Sequence, residues 1–304
     1  MKKLTYILVI VTLGLFMGLG IFSSPLLVNA TNEFDKEREV FLNITTVSKP
    51  QYYMVKSLVG DKHNVEYLFS TEEEIEKFKV DENIINNVSN IDLFIYTGLN
   101  YEPWINNLID NLKKGSIGVI NISRGVRPLG YEVNNSAKEN PYYFLGYNEY
   151  KIALYNIKQS LQERDIKNKD FYEASYNKKI EELNEIIEPL KKEIRKHKNY
   201  TVIVNTDEFD YLLKDLGINF IKIKGEPSKM SIDEKILNES NIVFIKDKYK
   251  LIKESETVGD VLNEGKLKYD TVELIKFDGK ISFEELMINN IKLIVDTFKK
   301  LPLQ

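Results

Sequence analysis

The sequence is poor in side chains that usually do chemistry. It has two histidines, His63 and His197, and no cysteine. The absence of thiols removes thiolate nucleophiles, thiolate metal sites and disulfides. No nucleophile–base pair, phosphate-cradling glycine loop or HExxH motif is present, so no residue pattern points to an enzyme. His63 stands in a turn after Gly60-Asp61-Lys62, and His197 ends a long helical stretch. Both read as solvent-exposed polar residues. The run Glu72-Glu73-Glu74 could attract a cation, although such a run is more often the solvated first turn of a helix. Tyr142, Tyr143, Phe144 and Tyr147 form an aromatic group. With Arg124 or Arg127 it could grip a planar or anionic organic ligand, but packing is the ordinary role of such residues. Trp104 in Glu102-Pro103-Trp104 reads as packing between a helix and a sheet.

The elements that must position these residues alternate along the chain. Short apolar runs at 40–44, 65–69, 91–96 and 117–120 read as strands. Helical patterns cover 50–58, opened by Pro50 and ended by Gly60, and 102–113. Residues 123–140 are polar, contain Gly125, Pro128 and Gly130, and read as a loop. Helical patterning resumes at 147–162. From about 170 to 197 there is no glycine, and Ile180, Leu183, Ile186, Ile187, Leu190 and Ile194 recur at helical spacing, with Pro189 the one interruption. At 1.5 Å per residue this helix would span ~40 Å, and its polar faces suit a solvent-exposed connector. Strands then follow at 201–204, 220–223, 242–245 and 271–277, with helices at 208–216, 232–237 and 283–300. This alternation predicts an α/β fold of two lobes with mostly parallel sheets joined by one long rigid helix. The expected division is a leader at 1–30, a first lobe at 31–165, a connector at 166–198 and a second lobe at 199–304. Ligands of such folds sit at the carboxyl ends of the strands.

Lys2 and Lys3 precede an apolar stretch from about Tyr6 to Phe22, and Val28-Asn29-Ala30 places small residues where a signal peptidase cuts. The expectation is export, with cleavage after Ala30. An uncleaved membrane anchor is the competing reading. A lipid anchor on cysteine is excluded. The chain carries a net charge of −4. Lys2 and Lys3 are the only charges in the first 30 residues, so the remainder of the chain is more acidic still and offers nucleic acid no basic surface.

With these elements in place, the chain resembles the solute-binding proteins of zinc and manganese ABC importers. The likeness is carried by Gly60-Asp61-Lys62 before a strand and by Asp92-Leu93-Phe94-Ile95-Tyr96-Thr97-Gly98-Leu99 followed by Glu102-Pro103-Trp104. Asn140-Pro141 opening a helix, the long helix, and the segment from Thr206 to Gly217 complete it. The resemblance implies two lobes that close slightly around a metal ion held by three imidazoles and one carboxylate. Counted back without gaps from Asp92, the first ligand position falls at Glu76. The second is Tyr142 and the third Thr206. The carboxylate position falls at Ile275, or at Asp278 if the last strand is three residues longer. No imidazole is retained, and the cleft candidates are Glu76, Tyr142, Thr206 and Asp278.

Two carboxylates with neutral Tyr and Thr oxygens cannot hold Zn²⁺ as three imidazoles and a carboxylate do. They suit a divalent cation such as Ca²⁺ or Mn²⁺, held weakly with waters completing its shell. The resemblance therefore implies a monomeric extracytoplasmic receptor that delivers a small solute or metal ion to an ABC permease. Two other readings stay open. One is a metal-free family member that binds an organic or chelated ligand. The other is an adhesin-like surface protein.

Overall fold

The computed structural model describes residues 39–113, 115, 117–133, 136–197, 199–223, 241–249, 262 and 268–301. The predicted leader at 1–30 and the predicted helix at 232–237 lie outside these residues. Among the described residues no helix is long and apolar enough to cross a membrane.

The first half holds β1 (Asn43–Ser48), α1 (Lys49–Val59), β2 (Asn64–Phe69), α2 (Glu72–Lys77), α3 (Glu82–Ser89), β3 (Leu93–Tyr96), α4 (Ile105–Asn111) and β4 (Gly118–Asn121). The strands pair in the order β2-β1-β3-β4, all parallel. The predicted strand at 40–44 is displaced toward the C-terminus. Phe41 is exposed, and the Leu42 amide donates to the His63 ring rather than to a ladder. The strand instead extends through the β-branched pair Thr45 and Thr46. The Thr46 hydroxyl donates to the Ser48 and Glu66 carbonyls, which lets a polar side chain sit in a buried strand. Ser48 then caps α1 reciprocally with Gln51. Gly60 ends that helix at φ 56°, a conformation disfavoured for residues with a Cβ.

Within the stretch predicted as a loop, β5 (Gly130–Val133) and β6 (Ser136–Glu139) form an antiparallel hairpin. A 3-10 turn follows at Tyr142–Leu145, then α5 (Tyr147–Arg164) and, after a second 3-10 turn, α6 (Lys169–Ile194). The 26 residues of α6 bury Tyr172, Leu183, Ile187, Lys191 and Ile194. It packs on α1, α5 and the last helix, so one of its faces is covered. Pro189 costs it one backbone hydrogen bond.

The second half holds β7 (Thr201–Val204), α7 (Asp210–Leu216), β8 (Phe220–Lys222), β9 (Ile242–Asp247), β10 (Tyr269–Leu274) and α8 (Phe283–Phe298). Its sheet runs β10-β9-β7-β8, again all parallel. Both sheets change direction of strand order next to their first strand, between β1 and β3 and between β7 and β9. At such switch points loops part at the carboxyl ends of the strands and leave a crevice. The two halves share one continuous apolar core, and a smaller cluster of Ile203, Ile242, Phe244 and Leu262 lies apart from it in the second half.

Candidate functional site

The residues just past the strand ends converge from both halves. Ser70 and Thr71 make a two-residue link from β2 to α2. Thr71 caps that helix, accepting the Glu74 amide at 3.2 Å, while the Glu74 carboxylate accepts the Ser70 and Thr71 amides, both at 3.0 Å. This fixes Glu72 at the start of α2, half-buried at the cleft. Its Oε1 accepts the Tyr101 hydroxyl at 3.1 Å and the Tyr142 hydroxyl at 2.9 Å.

The loop after β3 supplies Tyr101. Gly98, Leu99 and Asn100 all have positive φ (84°, 49° and 58°), and each non-glycine residue in that region costs about 1–2 kcal/mol. The Glu102 carboxylate holds the loop by accepting the Thr97 amide at 2.7 Å and the Gly98 amide at 3.1 Å. Burial pushes the Glu102 pKa up to about 7, against the pull of the Thr97 and Gly98 hydrogen bonds. Gln51 donates to the Thr97 hydroxyl at 2.9 Å, and Tyr143 donates to the Thr97 carbonyl at 2.8 Å. Burial raises the Tyr101 hydroxyl well above the ordinary tyrosine range, and the nearby Glu72 charge adds to this, so Tyr101 acts as a neutral donor.

From the second half comes Lys276, two residues beyond β10. Its ammonium donates to the Tyr142 hydroxyl at 3.0 Å, lies 3.3 Å from Glu72 Oε2, and stands 5.0 Å from the centre of the Tyr142 ring. Burial alone would push Lys276 down. The Glu72, Glu208 and Asp247 carboxylates outweigh burial and hold it above the usual lysine range. Asp247 closes β9 and accepts the Tyr249 amide at 3.0 Å; burial raises its pKa. Glu208 lies in the loop after β7, where Lys222 pairs with both Asp207 and Asp210.

Asn140 ties this loop to the first half. Its side chain donates to the Asp207 carbonyl at 2.6 Å and accepts the Tyr142 amide at 2.9 Å. The Tyr211 hydroxyl donates to the Asn140 carbonyl and accepts the Leu129 amide. The arrangement is a half-buried knot in which a carboxylate and phenols surround one ammonium.

Of the four residues singled out from the sequence, Tyr142 stands in this knot. Glu76 lies one turn beyond Glu72 on α2 and is exposed. Thr206 is buried, and its hydroxyl accepts the Glu208 amide at 3.5 Å. Asp278 is half-buried and caps a turn through the Lys280 amide at 2.8 Å. Arg124 and Arg127 are exposed, and the aromatic group packs within the core. Trp104 packs between Phe69 and Phe78 and donates to the Ile75 carbonyl at 2.7 Å. Among the described residues, no three His, Asp or Glu side chains are grouped to hold a metal ion.

Both histidines are buried, each 4% exposed, which corrects the solvent-exposed reading. His63 accepts the Leu42 amide, and its other nitrogen meets the Tyr172 hydroxyl at 2.5 Å; that hydroxyl donates to Asp165 at 2.6 Å. His197 packs edge-on to Phe298 and lines a cavity of about 400 Å³ with Tyr200 and Asn219. Lys276 was absent from the sequence candidates, and Glu72 was named there only within the acidic run Glu72-Glu73-Glu74, which read as a solvated helix turn. For Lys276 the available signal was its place just past a parallel strand, and for Glu72 the shortness of the link after β2.

Residues 44–297 match the sequence profile of the family described as zinc-uptake complex component A, periplasmic (ZnuA). A high-affinity zinc uptake system protein ZnuA from Bacillus subtilis is 24% identical over 207 residues, covering 63% of this chain and 65% of that protein. A metal ABC transporter substrate-binding lipoprotein from Lactococcus lactis is 29% identical over 170 residues, covering 53% of each chain. The chain thus spans less than two thirds of the length of these curated relatives. Among solved structures, a metal-free mutant of a periplasmic metal-binding protein from candidatus Liberibacter asiaticus superposes with a TM-score of 0.67 at 20% identity. The match covers 84% of this chain and 99% of that one.

Proposed function

The chain belongs to the ZnuA family, and from that membership we propose that it is the solute-binding component of an ABC importer. It works outside the cytoplasm and passes a solute to a membrane permease. The observation that carries this reading is the convergence of Glu72, Tyr142 and Lys276 from two parallel-sheet halves, at the carboxyl ends of the strands. Binding and release fit such a cleft.

The donors define what the cleft accepts. Tight zinc sites draw on imidazole or thiolate ligands, and this chain has no cysteine. His63 is committed to Tyr172, and His197 lies at the far end of α6. The cleft oxygens of Glu72 and Tyr142 are hard donors that already face an ammonium, suited to a cationic group on a solute or to a hard cation that keeps most of its waters. Zn²⁺ should therefore bind in the micromolar range or more weakly, with a binding free energy of about −8 kcal/mol or less negative.

Calorimetry of Zn²⁺ and Mn²⁺ on chelator-stripped protein tests the donor argument. Nanomolar one-to-one zinc binding that is lost in Tyr142→Phe or Thr206→Val would overturn it. Glu72→Ala should lower affinity only for a cationic cargo, and Glu76→Ala, outside the knot, should leave affinity unchanged. Uptake of labelled Zn²⁺ and Mn²⁺ by producing cells, with and without the chain, tests the importer role. Unchanged uptake of both metals, with no solute in a thermal-shift library raising the melting point, would remove the receptor reading.

A further inference from the structure

Lys276 sits where a cargo cation would be expected. Glu72 reaches it from α2 at 3.3 Å and Tyr142 from the 3-10 turn at 3.0 Å, both in the first half. Glu208, in the loop after β7, and Asp247, the last residue of β9, add their fields from the second half. An ammonium held by one carboxylate, one phenol and the face of its ring has the surroundings that a bound cation would need. Here the cation is part of the chain. It is also placed to join the halves, because Glu72 and Tyr142 are bound from the opposite side of the crevice. The halves meet closely at this point. A Cβ on Gly279, three residues past Lys276, would stand 1.5 Å from the Ser70 carbonyl oxygen, and Tyr53 donates to the Lys280 carbonyl at 3.4 Å.

Resting on the receptor reading, we propose that Lys276 is the resident cation of the cleft and its specificity determinant. It holds the two halves closed in the absence of cargo, and an incoming cation must displace it. The displacement is feasible because the Lys276 and Glu72 side chains are 25% and 27% exposed. A lysine stem can turn its ammonium out into water at little cost. With the ammonium in place, a divalent ion meets a like charge beside its carboxylates. With the ammonium removed, Glu72 loses that ion pair and keeps its two phenol donors, Tyr101 and Tyr142.

The test uses the full purified chain and Mn²⁺ alone as the probe, with Lys276→Met, Lys276→Gln, Lys276→Arg and Glu72→Gln. A single nearby charge shifts a carboxylate equilibrium by one to three powers of ten. Lys276→Met and Lys276→Gln should therefore bind Mn²⁺ about tenfold or more tightly than the wild type, and Lys276→Arg should not. Adding Glu72→Gln to either should erase the gain. Scattering should show the ion-free Lys276→Met protein with a larger radius of gyration than the wild type, and Lys276→Arg unchanged. A salt bridge that merely stabilises the fold would lower the melting temperature and leave Mn²⁺ affinity where it was.

If both neutral variants keep the wild-type circular dichroism and gain no Mn²⁺ affinity, the proposal fails. Two neutral variants are used so that misfolding of one does not decide the matter. Failure of the importer role would appear in cellular uptake and leave the Mn²⁺ gain in purified protein intact. Failure of the lysine proposal would remove that gain and leave uptake unchanged.

Discussion

Phe144 and Phe283 stack with ring centroids 4.1 Å apart and planes 23° from parallel. Phe144 belongs to the 3-10 turn before α5, and Phe283 opens α8, so the pair joins the two halves of the fold. Tyr101, Tyr142 and Phe277 surround it at centroid distances near 6 Å. The inner wall of the cleft is therefore a shared aromatic core, and the halves are held by packing as well as by Lys276. Phe283→Ala should cost about 3–5 kcal/mol and Phe283→Leu distinctly less, read from urea denaturation followed by circular dichroism. A loss below about 1 kcal/mol for the alanine would show that the stack carries little of the closure.

Gly279 gives a second measure of how tightly the halves meet. The atom a Cβ would strike is a backbone carbonyl, that of Ser70, which cannot rotate aside as a side chain would. Gly279→Ala should push α2 and the loop after β10 apart, with a destabilisation of about 1–3 kcal/mol and a larger radius of gyration. Gly60→Ala is the control. Nothing lies within 4 Å of its Cβ position, but its φ is +56°. It should cost about 1 kcal/mol in backbone strain and leave the dimensions of the protein unchanged.

Much of the fold was legible because apolar runs and helix signals are local. Pro50 and Gly60 bounded α1, and the spacing of Leu183, Ile187 and Ile194 marked the buried face of α6. The hairpin at 130–139 was not legible, since β6 is exposed and polar and only its partner strand makes it extended. The site depends on lengths that one sequence does not reveal. A gapless count lands on Glu76, whereas the two-residue link after β2 puts Glu72 at the knot, one helical turn away. Extending the last strand to residue 277 hid Lys276 inside it. The strand ends at Leu274, which frees Lys276 to turn into the cleft. The burial of His63 rests on Tyr172 and Asp165, about a hundred residues distant, and no local pattern reports such a contact.

Glu102 should give the protein a pH dependence of its own. Its folded pKa is pushed up to about 7 from a reference of 4.5, so the folded state holds the proton more tightly than the unfolded chain. The resulting stability is full below about pH 4.5 and is lost as pH rises through about 7. At 1.4 kcal/mol per pKa unit, the swing is on the order of 3 kcal/mol. Glu102→Gln cannot titrate. It carries a constant cost, because an amide nitrogen faces the Thr97 or Gly98 N–H. Relative to the wild type it should therefore gain stability as pH rises from 4.5 to 7. Parallel urea-stability curves for the two proteins across that range would rule out a titrating Glu102.

His63 should act with the opposite sign in an overlapping window. The Leu42 amide donates to Nδ1, so the neutral ring carries its proton on Nε2 and donates to Tyr172, which donates to Asp165. Protonating Nδ1 would set its N–H against the Leu42 N–H. Burial lowers the His63 pKa from its ordinary 6.5, only partly offset by the Asp165 charge. The unfolded chain then binds the extra proton first. The stability contributed is full above about pH 6.5 and falls as pH drops through the lowered folded value. Tyr172→Phe breaks the relay and leaves the His63 N–H without its acceptor at the junction of α5 and α6, at a cost of about 1–3 kcal/mol. His63→Gln can still accept the Leu42 amide through its side-chain oxygen, but it does not titrate. Between pH 7 and 5 the wild type should lose stability relative to His63→Gln, so the gap between their urea midpoints narrows as acid is added. Measured against Glu102→Gln as background, the gap should narrow to the same extent, because Glu102 titrates alike in both proteins and cancels from their difference. A gap that stays constant from pH 7 to 5 in both backgrounds would mean that the buried ring takes up its proton as readily as an exposed one, and the relay to Asp165 would then have no bearing on stability.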